Sequence, residues 1–299
     1  WTATNGDTTF DAVVSPVVPG SVANKAQTAA VTDLNADSAN VNETVTYTKV
    51  GSLVPSSSDG HFPGARTVVY PNDPSDATKV TPAGVPTVPG YTAHDPEGHV
   101  LTPGSSYQPS DPTKDTTITY TADQQKGSVS YVDDTTRKTL KTDSISGTTG
   151  SKSSYSTSGN IADYKKHGYE LVTDGYPADL TFDNNDTTDQ NFTVHLKHHQ
   201  TPVNPTDPQT PGAPINPDEP DGPKWPTRIN YDKTVNETVS YVDQTGHVVA
   251  KQHTDSVNFT RTVVVDNVTG EVITSGAGTK SWTATNGDTT FDAVVSPVV

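Results

Sequence analysis

Apolar residues alternate one for one with polar residues in several stretches of the chain. Phe192, Val194 and Leu196 alternate with Thr193, His195 and Lys197. Val129 and Tyr131 alternate with Ser128 and Ser130, Val239 and Tyr241 with Thr238 and Ser240, and Val45 and Tyr47 with Thr44 and Thr46. A period of two sends successive side chains to opposite faces of a pleated strand. Each run therefore predicts a strand with one buried and one wetted face, in an antiparallel or mixed sheet. Asp243-Gln244-Thr245-Gly246, Asn267-Val268-Thr269-Gly270 and Thr285-Asn286-Gly287-Asp288 supply Gly or Asn where a turn needs positive φ. Val263 to Asp266 and Glu271 to Thr274 flank the second of these and predict a hairpin. One helix of about two turns is predicted, with Asn160 as its cap, Ile161 and Tyr164 on one side and Gly168 as its stop. It is too short to stand without a sheet beneath it.

A repeat organises these elements. Residues 1–18 read WTATNGDTTFDAVVSPVV, and residues 282–299 repeat them letter for letter. An identity of that length implies duplication of a long unit and an array. Shorter echoes lie within: Ser130-Tyr131-Val132-Asp133 recurs at Ser240-Tyr241-Val242-Asp243, and Val41 to Tyr47 resembles Val235 to Tyr241. Residues 1–50 read as the back end of one module and 226–299 as the front end of the next, in a window cut from a longer protein. The two are complementary parts of one domain type, expected either to be disordered or to complement each other within or between chains. Between them, residues 198–226 carry a proline at every third position from Pro202 to Pro226. That spacing predicts a stiff polyproline II spacer.

Composition agrees with strands. Val, Tyr, Thr and Ser are abundant and Met is absent, a mixture suited to half-buried pleated surfaces. With 30% hydrophobic residues, several thin cores are expected rather than one large one. The net charge of −16 repels phosphate backbones and anionic lipid heads, which argues against nucleic-acid and membrane-surface binding. The absence of Cys removes disulfides, thiolate metal sites and a cysteine nucleophile. No apolar run reaches membrane-spanning length, and no signal peptide opens the chain.

The residues carry a family resemblance. Gly127 to Asp133, Gly150-Ser151 with Tyr155, Gly168 to Val172 and the strand at Phe192 resemble a MucBP module of the mucus-binding adhesins of lactic acid bacteria. Glu237 to Asp243, Val257 to Thr262, Val268 to Glu271, Trp282 and Thr290 to Pro297 are similar to the larger Mub-repeat domain. Ser21 stands where that family usually has Tyr, and no sortase motif is present. The resemblance implies a mainly β chain with few short helices, built of tandem β-grasp-like (ubiquitin-like) modules in an elongated array. The division expected is 1–50, the C-terminal part of a Mub-repeat domain; 51–125, a small β module; and 126–197, a MucBP-like module. A Pro-rich linker at 198–226 and the N-terminal part of the next Mub-repeat domain at 227–299 follow. It also implies a cell-surface adhesin, extracellular and held to the bacterial wall through a region outside this segment. Its partners would be host mucin glycans; some relatives also hold immunoglobulins. A stalk that projects a distal binding head is the alternative. No catalytic residues, cofactor or ligand-binding residues are implied.

Three side-chain groups invite other chemistry. Asp183-Asn184-Asn185-Asp186-Thr187-Thr188-Asp189 is rich in oxygen ligands for a hard cation, but lacks the EF-hand's Gly and Glu and reads as a solvated acidic loop. His195, His198 and His199 suggest zinc, with His195 and His199 on one strand face. No carboxylate partner can be named for them, and a polar strand end is the preferred reading. Tyr164, Tyr169 and Tyr176 could stack on sugar rings but read first as packing residues. The Asn-x-Thr triplets at Asn42, Asn185, Asn191, Asn236, Asn258 and Asn267 are expected from a Thr-rich composition. No nucleophile elbow, P-loop or zinc-protease helix occurs, so binding rather than catalysis is expected.

Overall fold

Strands account for most of the regular structure in the computed structural model of the chain, which describes residues 1–273 and 281–299. A single α-helix occurs among the described residues, and no helix there is long and apolar enough to cross a membrane. The chain is mainly β, as its composition implies. It divides into two compact units: residues 1–127, 144–154 and 179–190, and residues 128–143, 155–178 and 191–299.

In the first unit, β1 (Ser21–Ala23) pairs with β2 (Tyr47–Lys49). Five strands follow in one sheet, ordered β4-β3-β9-β6-β7. They are β3 (Ser52–Ser56), β4 (Val68–Val69), β6 (Tyr91–His94), β7 (Val100–Leu101) and β9 (Thr116–Ala122). The pair β3–β9 is parallel and the others are antiparallel. A separate pair joins β5 (Ala83–Gly84) to β8 (Ser106–Tyr107). The alternation in β9 turns Ile118 and Tyr120 inward onto Leu53 and Tyr70, and Val22 and Val50 join the same core. Asn72 fixes β1 to it: its Nδ2 donates to the Ser21 carbonyl at 2.8 Å, and its Oδ1 accepts from the Gly20 N–H at 2.8 Å.

A four-stranded sheet is ordered β11-β10-β13-β12. Its strands are β10 (Gln124–Asp133), β11 (Lys138–Thr148), β12 (Tyr169–Asp174) and β13 (Gln190–His198). Val129, Tyr131, Val194 and Leu196 are fully buried, the parity that the alternation predicts. Helix α1 (Ser158–Lys166) buries Ile161. It begins two residues before the predicted cap, because Asn160 is engaged elsewhere: its Nδ2 donates to Asp143 Oδ2 at 3.1 Å and to the Tyr131 hydroxyl at 3.2 Å.

Residues 198–226 correct the spacer expectation. β14 (Gln200–Val203) pairs antiparallel with β17 (Val263–Asp266), which pairs with β18 (Val272–Ile273). Val203 and Trp225 are buried with Val263 and Val265, and Ala213 and Ile215 pack on them. Pro202 is tolerated because β14 is the edge of this sheet, where a missing N–H interrupts no ladder. Burial of a valine and a tryptophan outweighs the local extended preference. The β17–β18 pair is the predicted hairpin; Thr274, its last predicted residue, lies outside the described residues. A further sheet, ordered β15-β16-β19, holds β15 (Asp232–Val242), β16 (Val248–Thr260) and β19 (Thr283–Ala284). Val239 and Tyr241 share one half-buried face of β15.

Candidate functional site

The first unit contains a groove of about 200 Å³ beside β6. Its walls are apolar, from Val85, Val88, Tyr91, Leu101 and Tyr120, and Asp123 and Asp186 also line it. The walls are stiffened from behind. Phe62 stacks on Tyr120 at 5.2 Å between ring centroids and meets Tyr91 edge-on at 5.1 Å. The Tyr91 hydroxyl donates to Asp59 Oδ2 at 2.6 Å, and the Tyr120 hydroxyl donates to the Pro86 carbonyl at 2.5 Å. Burial and the Asp59 carboxylate push the Tyr91 hydroxyl up to about 12.

The acidic pair has an ordered setting. Thr92 Oγ1 donates to Asp123 Oδ1 at 2.5 Å. Gln125 Nε2 donates to Asp186 Oδ1 at 2.7 Å and to Thr149 Oγ1 at 3.0 Å. Thr149 in turn donates to the Gly90 carbonyl at 2.9 Å. Burial raises the Asp123 carboxyl above its ordinary range; the Thr92 bond opposes this, and the neighbouring Asp186 adds to it by hydrogen bonding and like charge. A carboxylate accepts hydrogen bonds from hydroxyl groups. The arrangement suits a neutral hydroxylated ligand with an apolar face better than an anion. Sequence reasoning singled out Asp186 as part of an acidic loop and passed over Asp123. The rest of that loop turns inward on itself: Asp183 Oδ1 accepts from the Asn185 N–H, and Asn185 Oδ1 from the Thr187 N–H.

In the second unit the three histidines are parted among different carboxylates. His195 Nδ1 lies 2.8 Å from Asp134, and His199 Nδ1 lies 2.8 Å from Glu170. His198 is buried, with Nε2 2.7 Å from Asp133 and Nδ1 2.6 Å from Asp266. With a carboxylate within hydrogen-bond distance of each ring nitrogen, the site favours the protonated ring, which can donate from both nitrogens. Burial opposes that charge, yet the Asp266 and Asp133 bonds together raise the His198 pKa above its usual value. Asp133 is likewise subject to burial, which its bonds from His198, Thr136 and Thr135 overcome, so its pKa is lowered. The clamp joins β10 and β13 to the end of β17. Beside it, the His199 N–H donates to the Gly168 carbonyl and the Asn267 N–H to the His199 carbonyl, both at 2.9 Å.

The tyrosines singled out for sugar stacking pack on other rings. Tyr164 lies 5.7 Å from Tyr131 and 5.5 Å from Tyr169, and Tyr176 lies 5.5 Å from Phe192. Tyr169 also meets His198 edge-on at 5.3 Å.

Comparison with known proteins adds to this geometry. A mucin binding domain model matches residues 125–198, and a Muc B2-like domain model matches residues 1–51 and 226–299. No curated protein matches the chain. Among solved structures, it is 37% identical to the type 2 repeat of the mucus binding protein MUB from Lactobacillus reuteri, over 53% of this chain and 74% of that one, with a TM-score of 0.35. It is 34% identical to the crystal structure of Mub-RV, over 58% of this chain and 82% of that one, with a TM-score of 0.43. The likeness is one of sequence, and by it the chain belongs to the mucin-binding repeat family of mucus-binding proteins.

Proposed function

We propose that the chain is part of a bacterial surface adhesin, held to the cell wall through a region beyond these residues, that grips host mucin glycans through repeated weak sites. The observation that carries this reading is the match of residues 125–198 to a mucin binding domain in a chain that also repeats its first 18 residues at 282–299. Mucin is long and repetitive. Linked weak binders gain avidity of ~10²–10⁴ on such a ligand without any new contact. The proposal keeps 51–125 and 126–197 as separate modules and gives 198–226 to the folded part of the chain.

The net charge of −16 opposes long-range attraction to acidic glycoproteins, so recognition acts at short range. The groove beside Tyr91 is the contact surface we assign. Its apolar wall fits the hydrophobic face of a sugar ring, and Thr92, Asp123 and Asp186 present hydrogen-bonding groups to hydroxyls. The test is retention of the intact chain on immobilised mucin after Asp186→Ala or Leu101→Lys, with circular dichroism to verify folding. Loss of one or two hydrogen bonds predicts about a tenfold fall. Unchanged retention in both folded variants contradicts the groove assignment.

A stalk function is the second reading. The packing of Tyr164, Tyr169 and Tyr176 on other rings favours it for residues 126–197, since it turns aromatic surface to stabilising the module.

A further inference from the structure

Of the nine histidines in the chain, eight hydrogen-bond within the protein. Carboxylates hold His61, His99, His195, His198 and His199. Threonine hydroxyls or a main-chain carbonyl hold three more. His253 alone makes no hydrogen bond or ion pair among the described residues, although it is half-buried.

The hairpin of β15 and β16 sets it among carboxylates at a different spacing. Glu237 lies opposite Asp255, and Val239 opposite His253. Positions 237 and 239 share one face of β15, and 253 and 255 the same face of β16. Glu237 is therefore the direct neighbour of Asp255 and the diagonal neighbour of His253, both within reach of long side chains. One ligand atom from each of the three lies within 4.8 Å of the other two. Like charges directly opposite each other weaken a hairpin. Asp255 Oδ1 accepts from the Ser256 N–H at 2.8 Å. Glu237 Oε2 is buried and has no hydrogen-bond partner. A buried carboxylate oxygen without a donor or a counter-charge is strongly unfavourable. Solvent does not reach that atom, so the group that satisfies it has to sit among these three side chains rather than over them.

We propose that Glu237, His253 and Asp255 bind a divalent cation of the zinc class, which joins β15 to β16. One imidazole nitrogen and two carboxylate oxygens form a donor set suited to zinc, with water as the fourth ligand. The imidazole favours such an ion over calcium or magnesium, which take oxygen ligands. Donors about 2.1 Å from one tetrahedral ion stand about 3.4 Å apart, so small side-chain rotations close all three onto it. The ion offsets the like charges, meets Glu237 Oε2 and engages His253. A second cluster, of Asp95, Glu97 and His99, gives the contrast. There the His99 Nδ1 already lies 3.1 Å from Asp95 Oδ2 and 3.5 Å from Glu97 Oε2, so the imidazole itself serves as the partner of the carboxylates.

The test is calorimetric titration of the chelator-treated full chain with zinc chloride near neutral pH. The wild-type protein should take up one equivalent in a saturable step. Glu237→Gln, which keeps the side chain's shape, and His253→Ala should each weaken affinity at least about tenfold, the loss that even supporting groups around a metal produce. Circular dichroism verifies that both fold. His99→Ala should bind as the wild type does. Zinc should also slow hydrogen exchange of the β15 and β16 amides in the wild type, and not in Glu237→Gln. Absence of saturable uptake by the wild type overturns the proposal. So does unchanged affinity in both folded variants, or uptake that is lost with His99→Ala.

Discussion

Asp133 and His198 stand 2.7 Å apart, Oδ2 to Nε2, at the last positions of two strands whose buried faces are otherwise apolar or aromatic over the preceding residues. Asp133 continues the parity of Val129 and Tyr131, and His198 that of Val194 and Leu196. The pair closes the core of the sheet and, through Asp266 at 2.6 Å, fixes the end of β17 against it.

The charge states of this clamp predict a pH window. His198 has its pKa raised above the usual ~6.5. Its contribution is complete below about pH 6.5 and is lost as pH rises through the folded value. Asp133 is lowered; its contribution is complete above about pH 4 and is lost as pH falls through its folded value. Thermal unfolding of the second unit should therefore peak between about pH 4 and 6.5 and decline on the alkaline side. His198→Ala leaves the buried Asp133 carboxylate and the part-buried Asp266 carboxylate without their shared partner and should destabilise by about 3–5 kcal/mol near pH 6. A calorimetric profile for this variant with the wild-type alkaline decline would contradict the assignment.

The two partners differ in how far they could be read from sequence. The alternation through Phe192, Val194 and Leu196 reaches His198 if carried one step past the last apolar residue, and Val129, Tyr131 lead on to Asp133 in the same way. A polar residue on a buried parity was the available signal. Reading His195 with His199 as the pair of interest set it aside. Asp266 left no such mark, because its approach depends on how β17 meets β14. Asp123 and Asp186 are likewise remote in sequence, and nothing local announces that Gln125 and Thr149 organise them.

The prolines show a local signal overruled by tertiary packing. A three-residue spacing reads as an extended spacer, but Val203 and Trp225 are apolar residues that a solvated spacer has no use for. Val203→Ala should cost about 1–3 kcal/mol and Trp225→Ala about 3–5 kcal/mol, measured by denaturant unfolding. The amides of Thr201 and Val203 should be protected from hydrogen exchange. Unaltered stability in both variants would restore the spacer reading.

Gly168 offers a backbone test. It has φ +94°, and a Cβ there would lie 2.3 Å from the Asn267 carbonyl oxygen. Gly168→Ala therefore combines a strained conformation with a backbone collision, and should destabilise the second unit by at least about 1–3 kcal/mol. Stability within a few tenths of a kcal/mol of wild type would show that β12 and the β17 turn do not meet as described.

In the groove, Asp123→Asn keeps an acceptor for Thr92 and removes a carboxyl whose pKa burial and Asp186 raise. A raised carboxyl pKa means that the wild-type protein loses stability as pH climbs from the ordinary carboxylate range through the folded value. The variant should melt higher than wild type at pH 7 and nearly level with it at pH 3.5. A variant that melts lower at pH 7 would show that the charged pair stabilises the groove.

The most direct measurement is retention of the intact chain on a mucin surface before and after enzymatic removal of the mucin's glycans, at fixed salt and pH. Retention should fall at least tenfold on the stripped surface and should be competed by neutral sugars in solution. Equal retention on both surfaces would contradict recognition of mucin through its glycans.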